Sequence, residues 1–189
     1  MEFRALELDG LLEIRPRKLV DERGYFSEIF RQSDFAERAG PVQFVQENQS
    51  LSTRAGTVRG IHFQTEPAAQ GKLVRCLGGR LFDVAVDLRR DSPTYGRWSS
   101  VILSAEENNQ LWIPAGFGHA FCTLEADSVA SYWLTSYYSA ANDKGVTWDD
   151  PEIAIDWPEI ARPDTLSAKD RQQPRLRDLP GYFTMATGR

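Results

Sequence analysis

The sequence predicts a mainly β protein, and three observations support this fold class. Turn-forming residues recur at short intervals, and the segments between them are rich in Val, Ile, Phe, Trp and Tyr. Helical signals are few and short. The chain has 189 residues, of which 41% are hydrophobic and 26% charged, and this composition suits one globular domain over residues 1–189. Together these features are typical of a β-sandwich or a β-barrel.

The strands are predicted from apolar runs and from alternation with a period of two. The clearest segment is 72–89, where apolar residues alternate with Asp and Ala from residue 82 to residue 88. Gly78 and Gly79 divide this segment and can supply the positive φ angles of a tight turn, so a β-hairpin is predicted. The other predicted strands are 42–51, 57–64, 98–103, 110–113, 119–124 and 129–138.

Two short helices are predicted. One covers residues 33–40, since Ser33 is a capping residue and Gly40 a terminating one. Another short helix is predicted to start within residues 167–171, where Ser167 as the cap and Asp170 in the first turn form a capping box. The segment 149–163 is rich in Pro and Trp and is predicted to be an ordered loop, and the last ten or so residues are predicted to be a weakly packed tail.

Charge and residue usage exclude several function classes. The net charge is −5, so nucleic-acid binding is disfavoured, and an anionic ligand must be bound through local Arg and Lys residues. No run approaches the roughly 20 apolar residues that span a bilayer, and the first ten residues lack the apolar core of a signal peptide. A cytoplasmic protein without membrane segments is therefore expected. Cys76 and Cys122 lie in apolar runs and are predicted to be buried free thiols.

Two motifs carry chemistry, and each contains one of the two histidines of the chain. Residues 59–64 read RGIHFQ and place His62 on a predicted strand. Residues 114–119 read PAGFGH, a tight turn that leads His119 into the next strand. This turn resembles the second motif of cupin-type β-barrels, whose first motif supplies two histidines and a Glu to a metal ion. Because Gln64 stands in place of the second of those histidines, we expect a site without metal.

A wider set of segments covers most of the chain in order. They are 21–28 (DERGYFSE), 46–50 (QENQS), 59–64 (RGIHFQ), 71–75 (GKLVR), 83–89 (DVAVDLR), 112–121 (WIPAGFGHAF), 148–151 (WDDP) and 166–170 (LSAKD). This ordered set resembles the dTDP-4-dehydrorhamnose 3,5-epimerase family of deoxysugar biosynthesis. The resemblance implies a cupin-type double-stranded β-helix, also called a jelly-roll barrel, with a few short helices.

The resemblance also implies a reaction. The family inverts carbons 3 and 5 of dTDP-4-dehydro-6-deoxy-D-glucose and forms dTDP-4-dehydro-L-rhamnose. The ketone at carbon 4 acidifies these carbons, so the enzyme needs a base, an acid on the opposite face and a group that stabilises the enolate. The substrate already carries its ketone, and the sequence has no G-x-G-x-x-G fingerprint, so no cofactor is expected.

Four residues take the catalytic roles that the resemblance implies. His62 is the base, because imidazole can be a neutral proton acceptor at working pH. Asp170 orients His62 and stabilises its charge, and Lys72 stabilises the enolate oxygen as a donor in an oxyanion hole does. Tyr132 is the proton donor on the opposite face, because a phenol carries its proton at neutral pH.

Substrate contacts are implied at further positions. They are Arg23, Phe26, Glu28, Gln46, Glu47, Asn48, Arg59, His119, Tyr138, Asp143 and Lys169. Arg59 suits a phosphate because its planar guanidinium can bind two oxygens at once. Phe26 and Trp133 are expected to stack near the nucleotide base or the sugar ring, whereas Tyr137 is expected to pack in the core. Asp143 stands where the family often has Glu, so its contact stays open.

The resemblance implies an assembly as well. In the family, the stretch from Arg23 to Glu28 crosses to the partner subunit. A homodimer is therefore expected, with each site built from two chains. The expected partners are a dTDP-linked 4-keto-6-deoxy sugar and a second copy of the chain.

Three alternatives stay open at this point. A one-carbon epimerase of a related dTDP-4-keto-6-deoxy sugar would share the fold, although the presence of both Tyr132 and Tyr138 favours the double inversion. A non-catalytic cupin that binds nucleotide sugars would need no acid–base pair, and the set present here argues against it: His62, Lys72, Tyr132 and Asp170. A metal-dependent cupin oxygenase would need the histidine that the first motif lacks.

Overall fold

The computed structural model describes residues 1–185 and is built around two antiparallel β-sheets. Its strands are β1 (Glu2–Ala5), β2 (Leu12–Arg15), β3 (Lys18–Asp21), β4 (Gly24–Ser27), β5 (Gln46–Ser52), β6 (Val58–Gln64), β7 (Lys72–Gly78), β8 (Arg80–Asp87), β9 (Trp98–Ser104), β10 (Gln110–Ile113), β11 (Phe117–Thr123), β12 (Ser128–Leu134) and β13 (Asp143–Gly145). Helix α1 (Gln32–Ala39) follows β4. Short 3-10 turns lie at Pro163–Thr165, Asp170–Gln172 and Leu176–Asp178.

The two sheets differ in size, and each takes strands from different parts of the chain. The six-stranded sheet has the order β1-β2-β10-β7-β12-β5, and the five-stranded sheet has the order β13-β6-β11-β8-β9. Strands β3 and β4 form a separate hairpin. Consecutive strands such as β6, β7 and β8 alternate between the sheets, so the chain winds around the barrel as in a jelly roll. The prediction of a mainly β fold is confirmed.

The main core fills part of the space between the two sheets. Val74 and Leu111 of the six-stranded sheet belong to the same buried cluster as Leu81 and Phe117 of the five-stranded sheet. Burying a side chain of this size contributes about 1.5–3 kcal/mol. The space that this cluster leaves open is the cavity described below.

The outer faces of both sheets are covered as well. Phe35 of α1 packs edge-on against Trp112 on the six-stranded sheet, with ring centroids 5.1 Å apart. Leu176 and Phe183 of the C-terminal segment pack on the five-stranded sheet. Both faces of the central strands are therefore buried, and a polar residue on such a strand can point inward.

The hairpin predicted over residues 72–89 is wrong. Strand β7 pairs with β10 and β12, whereas β8 pairs with β9 and β11. Gly79, with a φ of 72°, lies where the chain passes from one sheet to the other. A Cβ at this position would lie 2.4 Å from the hydroxyl of Ser128, so the crossing is too tight for a side chain. The alternation does mark two strands, but they do not pair with each other.

The other predicted strands are confirmed, β10 with the predicted ends and the rest with shifted ends. The strand predicted over 129–138 ends at Leu134, and the chain continues as a loop. Tyr137 lies in this loop and is 70% exposed, so the expectation that it packs in the core is wrong. Strands β1 to β4 and β13 were not predicted, because they are short and their outward-facing residues interrupt the apolar pattern.

The helix and tail predictions need corrections. Helix α1 begins one residue before the predicted cap Ser33, and its N-cap is Arg31, which makes no capping side-chain hydrogen bond. It ends before Gly40 as predicted, with a φ of 83° at that residue. The tail is well packed as far as Phe183, whose carbonyl accepts a 2.8 Å hydrogen bond from the backbone of Arg90. The remainder of the predicted tail, 186–189, lies outside the described residues.

Several smaller predictions can be checked as well. The segment 149–163 is a loop with turns, as expected. Cys76 and Cys122 are buried free thiols, as predicted. Within residues 1–185 no helix combines the length and the apolar character that crossing a membrane requires. The cytoplasmic location and the lack of nucleic-acid binding stay predictions.

Candidate active site

Two adjoining lobes of one cavity lie between the sheets and share His62, Lys72 and Tyr132. The first lobe, of about 230 Å³, is lined by Ser50, Arg59, His62, Lys72, His119, Phe121, Tyr132, Ser167 and Asp170. The second lobe, of about 180 Å³, is lined by Asn48, His62, Phe63, Gln64, Gln70, Lys72, Tyr132, Leu134, Tyr138, Asp143 and Lys169. All four predicted catalytic residues therefore line the first lobe.

A β-bulge brings Arg59 and His62 to the same lobe. In a regular strand, residues three apart point to opposite faces. In the pairing with β11, Arg59 lies opposite Phe121 and His62 lies opposite His119, so β6 carries one extra residue. Gly60 permits this bulge: its φ is 119°, and a Cβ would lie 2.6 Å from the carbonyl oxygen of His119.

The predicted pair of His62 and Asp170 is present. The Nε2 atom of His62 lies 2.5 Å from Oδ1 of Asp170, which is 3% exposed. Burial pushes the pKa of Asp170 upward, but hydrogen bonds from His62 and Ser167 and the charge of His62 outweigh this, so its pKa is below the ordinary value. The ionised carboxylate only accepts hydrogen bonds, so Nε2 of His62 carries a proton. In the neutral ring Nδ1 is then unprotonated and can act as a base.

A reciprocal pair of contacts anchors the Asp170 side of this dyad. The backbone N–H of Asp170 donates to the hydroxyl of Ser167 over 3.1 Å, and the backbone N–H of Ser167 approaches Oδ2 of Asp170 at 3.4 Å. This arrangement is the capping box predicted for the segment. The helix predicted to start here is only a short 3-10 turn, Asp170–Gln172, and the box holds the carboxylate toward β6.

Lys72 supplies a buried positive charge. It is 8% exposed, and its ammonium donates to the carbonyl oxygen of His62 over 3.3 Å. Burial lowers the pKa of Lys72 to about 8, although the carboxylates of Asp143 and Asp83 act in the opposite direction. A cation in such a low-dielectric cavity attracts a developing negative charge far more strongly than it would in water.

The state of Lys72 predicts a pH dependence. In the role predicted for Lys72 only the ammonium form can stabilise an enolate, and the fraction of that form falls as the pH rises through its pKa of about 8. We expect kcat/KM to decline above that pH. In Lys72→Arg the guanidinium stays charged, so the alkaline decline should move to much higher pH even if the maximum rate is lower. A pH profile of both proteins checks this, and an alkaline decline at the same pH in Lys72→Arg would assign it to another group.

Tyr132 faces the cavity from the wall opposite His62. It lies on β12 of the six-stranded sheet, whereas His62 lies on β6 of the five-stranded sheet. Its ring is 6.3 Å from the ring of His119, edge to face. Lys72 lies on β7, the neighbour of β12. A sugar bound between the sheets would therefore meet the imidazole on one face and the phenol on the other.

Four of the predicted contacts line the second lobe. The carboxylate of Asp143 accepts a 3.1 Å hydrogen bond from the hydroxyl of Tyr138 and forms an ion pair with Lys169. The hydrogen bond to Asp143 and its charge raise the pKa of Tyr138. Asn48 is held by Gln46, whose amide donates to Oδ1 of Asn48 over 2.9 Å. Gln46 therefore supports the lobe from behind Asn48.

Four other predicted contacts do not reach the cavity of their own chain. Arg23 forms a 2.5 Å ion pair with Asp21 on the β3–β4 hairpin, where Phe26 is 70% exposed. Glu28 follows this hairpin and forms an ion pair with Arg31 over 2.8 Å. Glu47 lies on the outer face of β5, since only alternate residues of that strand point inward. These four residues therefore take no part in lining the cavity of their own chain.

Sequence reasoning missed Asp83 and Ser50. Asp83 is fully buried, and both of its oxygens lie within 3.1 Å of Nε2 of His119. Ser50 lines the first lobe, and its buried hydroxyl has no hydrogen-bond partner among residues 1–185. In the sequence, Asp83 alternates with apolar residues, which usually indicates a side chain that faces solvent. Here both faces of β8 are covered, so the side chain is buried.

Comparison with known proteins places this arrangement in a family. The family model described as dTDP-4-dehydrorhamnose 3,5-epimerase matches residues 5–178. The chain belongs to this family. It is 56% identical over 183 residues to the dTDP-4-dehydrorhamnose 3,5-epimerase of Sinorhizobium fredii, which covers 97% of this chain and 93% of that protein. The predicted family and the predicted isomerase class are confirmed.

Solved epimerase structures share the fold. The crystal structure of dTDP-6-deoxy-D-glucose-3,5-epimerase from Legionella pneumophila in complex with dTDP-4-keto-L-rhamnose matches with a TM-score of 0.90 at 39% identity, over 98% of both chains. The predicted cupin-type jelly roll is confirmed.

A dTDP-4-dehydrorhamnose 3-epimerase from Streptomyces niveus is also 42% identical over 191 residues, which cover 97% of this chain and 91% of that protein. The relatives of this epimerase chain therefore include a protein named for one carbon.

Proposed function

We propose that this chain inverts carbons 3 and 5 of dTDP-4-dehydro-6-deoxy-D-glucose and releases dTDP-4-dehydro-L-rhamnose. One observation carries the proposal. The dyad of His62 and Asp170 and the phenol of Tyr132 lie on opposite walls of one lobe, and the buried cation Lys72 lies in the same lobe. An inversion next to a ketone requires this set of groups: a base, an acid on the other face and a stabiliser of the enolate.

Each inversion follows the same proton and electron movements. Nδ1 of His62 removes the proton from the carbon beside the ketone. The C–H electron pair forms a double bond to the carbonyl carbon, and the carbonyl π pair moves to the oxygen, where Lys72 stabilises the negative charge. When the enolate collapses, the carbon takes a proton from the hydroxyl of Tyr132 on the opposite face. His62 then loses its proton and the phenolate regains one, so no net oxidation occurs.

Asp170 acts when His62 becomes protonated. The imidazolium forms beside a carboxylate at 2.5 Å, so the positive charge is stabilised where it develops. A positioned general base is worth about 10²–10⁴ in rate. The hydrogen bond also prevents the ring from rotating, because Nε2 is anchored to a buried group.

The diphosphate contacts Arg59 in this proposal. The guanidinium is held by the hydroxyl of Ser52 over 3.1 Å and by the carbonyl of Leu51 over 3.2 Å. It lines the first lobe and has further N–H groups to offer a phosphate. Tyr138 and Lys169 of the second lobe supply an aromatic ring and a cation for the remaining part of the nucleotide.

A homodimer is part of the proposal. The β3–β4 hairpin exposes apolar side chains, with Val20 77% and Phe26 70% exposed, and it carries Arg23. An isolated two-stranded hairpin is marginally stable in water, so a second surface that covers it would stabilise it. We propose that this surface is the partner subunit and that Arg23 and Phe26 complete the site of the partner.

A mixing experiment tests this sharing of sites. Arg23→Ala and His62→Ala are each expected to be inactive. In a mixed dimer, one site combines an intact His62 with an intact Arg23 from the other subunit, so activity should return when the two proteins are dissociated and reassembled together. If Arg23 acted within its own chain, both sites of the mixed dimer would be defective and no activity would return.

The reaction itself is tested in deuterated water. Incubation with dTDP-4-dehydro-6-deoxy-D-glucose should give a product with deuterium at both carbon 3 and carbon 5, because each new C–H bond takes its proton from a group that exchanges with solvent. Deuterium at one carbon only would assign the chain to the one-carbon epimerases, to which the Streptomyces niveus protein belongs by name. Tight nucleotide binding without any deuterium would identify a non-catalytic binding protein.

Activity is predicted to survive exhaustive chelation. The position of the second metal histidine is taken by Gln64, whose amide donates to the carbonyl oxygens of Ala68 over 2.7 Å and Tyr137 over 3.1 Å. Its carbonyl accepts from the backbone of Ser139 over 2.8 Å, so the side chain is used to hold the loop. The turnover rate, measured before and after chelation, tests whether activity survives. Loss of activity that one added divalent metal restores would overturn it.

A further inference from the structure

A second histidine–aspartate pair lies beside the dyad of His62 and Asp170. Strands β6 and β11 are adjacent, and His119 lies directly opposite His62 in their pairing. Nε2 of His119 lies 3.0 Å and 3.1 Å from the two oxygens of Asp83. Asp83 is fully buried on β8, and His119 is 6% exposed and lines the first lobe.

We propose that Asp83 is a positioning residue: it holds His119 in the tautomer that carries its proton on Nε2, so that Nδ1 accepts a hydrogen bond from a hydroxyl of the bound sugar. The inference rests on the proposed function only for the identity of the ligand. It concerns how His119 recognises a ligand and adds no step to the proton transfers of His62 and Tyr132.

The tautomer follows from the chemistry of the two side chains. A carboxylate has no proton to donate, so the ring nitrogen that faces it must be the one that carries hydrogen. Burial lowers the pKa of His119, although the charge and the hydrogen bonds of Asp83 act in the opposite direction. The ring is therefore neutral at neutral pH and has one N–H group. That N–H points to Asp83, which leaves a lone pair on Nδ1.

The surroundings of Nδ1 define its ligand. Within residues 1–185 both hydrogen bonds of the His119 ring are made at Nε2, so Nδ1 has no partner, and the ring lines the lobe that contains His62 and Tyr132. The titratable groups in contact with the ring or lining the same lobe are Asp83 from β8, His62 and Arg59 from β6, Lys72 from β7, Tyr132 from β12 and Asp170 from the turn that follows Ser167. A lone pair repels phosphate oxygens, which are acceptors, and attracts a donor. In a nucleotide-linked keto sugar, the donors near the reacting carbons are the hydroxyl groups of the sugar.

Nuclear magnetic resonance tests the tautomer directly. The chain has two histidines, so the untagged protein labelled with ¹⁵N in histidine gives two imidazole spin systems, and the His62→Ala variant assigns them. Near neutral pH, His119 is expected to show a protonated Nε2 and an unprotonated Nδ1. A protonated Nδ1, in either a neutral or a charged ring, would overturn the proposal without any assay of activity.

The Asp83→Asn variant tests the consequence. A carboxamide can donate to Nε2, so the His119 signals should change to a form protonated on Nδ1 or to a mixture. The turnover rate of the sugar nucleotide should fall by about tenfold or more, because one aligned hydrogen bond to the sugar is lost. The affinity for dTDP, which has no sugar at this position, should stay within about twofold of that of the parent protein. An unchanged tautomer with unchanged turnover, or an equal loss of dTDP affinity, would contradict the role of Asp83.

Asp87→Asn is the matched control. Asp87 lies on the same strand and is also fully buried, but it binds Arg89, Ser92 and Thr94 and does not line the cavity. This variant should lower the melting temperature and leave the His119 signals and the kinetics per folded molecule unchanged. If Asp87→Asn reduced turnover as strongly as Asp83→Asn, the effect of Asp83 would be a general loss of packing. If the tautomer is as expected but no epimerisation occurs, the proposed function fails and the role of Asp83 stands.

Discussion

His62→Ala is expected to abolish both product formation and the exchange of substrate protons with deuterated water. In the proposed mechanism Nδ1 of His62 removes the substrate proton, because Nε2 is anchored to Asp170 at 2.5 Å. Without it the enolate does not form, and every later step is lost. The rate should fall by at least the contribution of a general base, about 10²–10⁴.

Binding of the nucleotide separates catalysis from folding in this variant. Arg59 is held by Ser52 and Leu51, and these contacts do not involve the imidazole. A titration with dTDP should therefore give nearly the parent affinity, and His62→Asn, which keeps a polar side chain, should behave like His62→Ala. Near-normal turnover in either variant would make His62 a structural residue, and loss of dTDP binding in both would indicate a damaged fold.

The fold class was predictable because most of the longer strands have a recognisable local sequence pattern. Val84 and Val86 alternate with Ala85 and Asp87, and the structure has a strand there. The pairing was not predictable in the same way, since β7 and β8 are adjacent in sequence but lie in opposite sheets. A glycine such as Gly79 indicates a sharp turn, but such a turn is compatible both with a hairpin and with a connection from one sheet to the other. Only the packing of the two sheets decides between these outcomes.

Site residues that belong to a recognisable sequence motif could be predicted from the sequence. The motif of residues 59–64 contains His62, and the segment 166–170 contains Asp170, but their contact depends on the tertiary fold. Asp83 was missed for a physical reason: an Asp among apolar residues looks like the solvent face of a strand. Asp83 points into the space between the sheets, where it contacts His119, and the C-terminal segment with Phe183 covers the opposite face of the strand, so neither face meets solvent.

Tyr132→Phe is expected to separate inversion from proton exchange. The substitution removes the phenol hydroxyl and keeps the ring, so the edge-to-face contact with His119 at 6.3 Å is retained. His62 can still remove the substrate proton, and Lys72 can still stabilise the enolate. The new proton cannot arrive from the opposite face, so inversion should fall by about 10²–10⁴, the value of one general acid.

Exchange should fall less than inversion, because the proton can return from His62 to the original face. Deuterium in recovered, uninverted substrate, compared with deuterium in inverted product, measures the two rates separately. Tyr137→Phe is the matched control: it lies five residues further along the chain, is 70% exposed, does not line either lobe, and should change neither rate. If exchange and inversion fall together in Tyr132→Phe while dTDP still binds, Tyr132 also assists enolate formation. If inversion is unchanged, Tyr132 is not the acid, and Tyr138, the other phenol that lines the second lobe, becomes the next candidate.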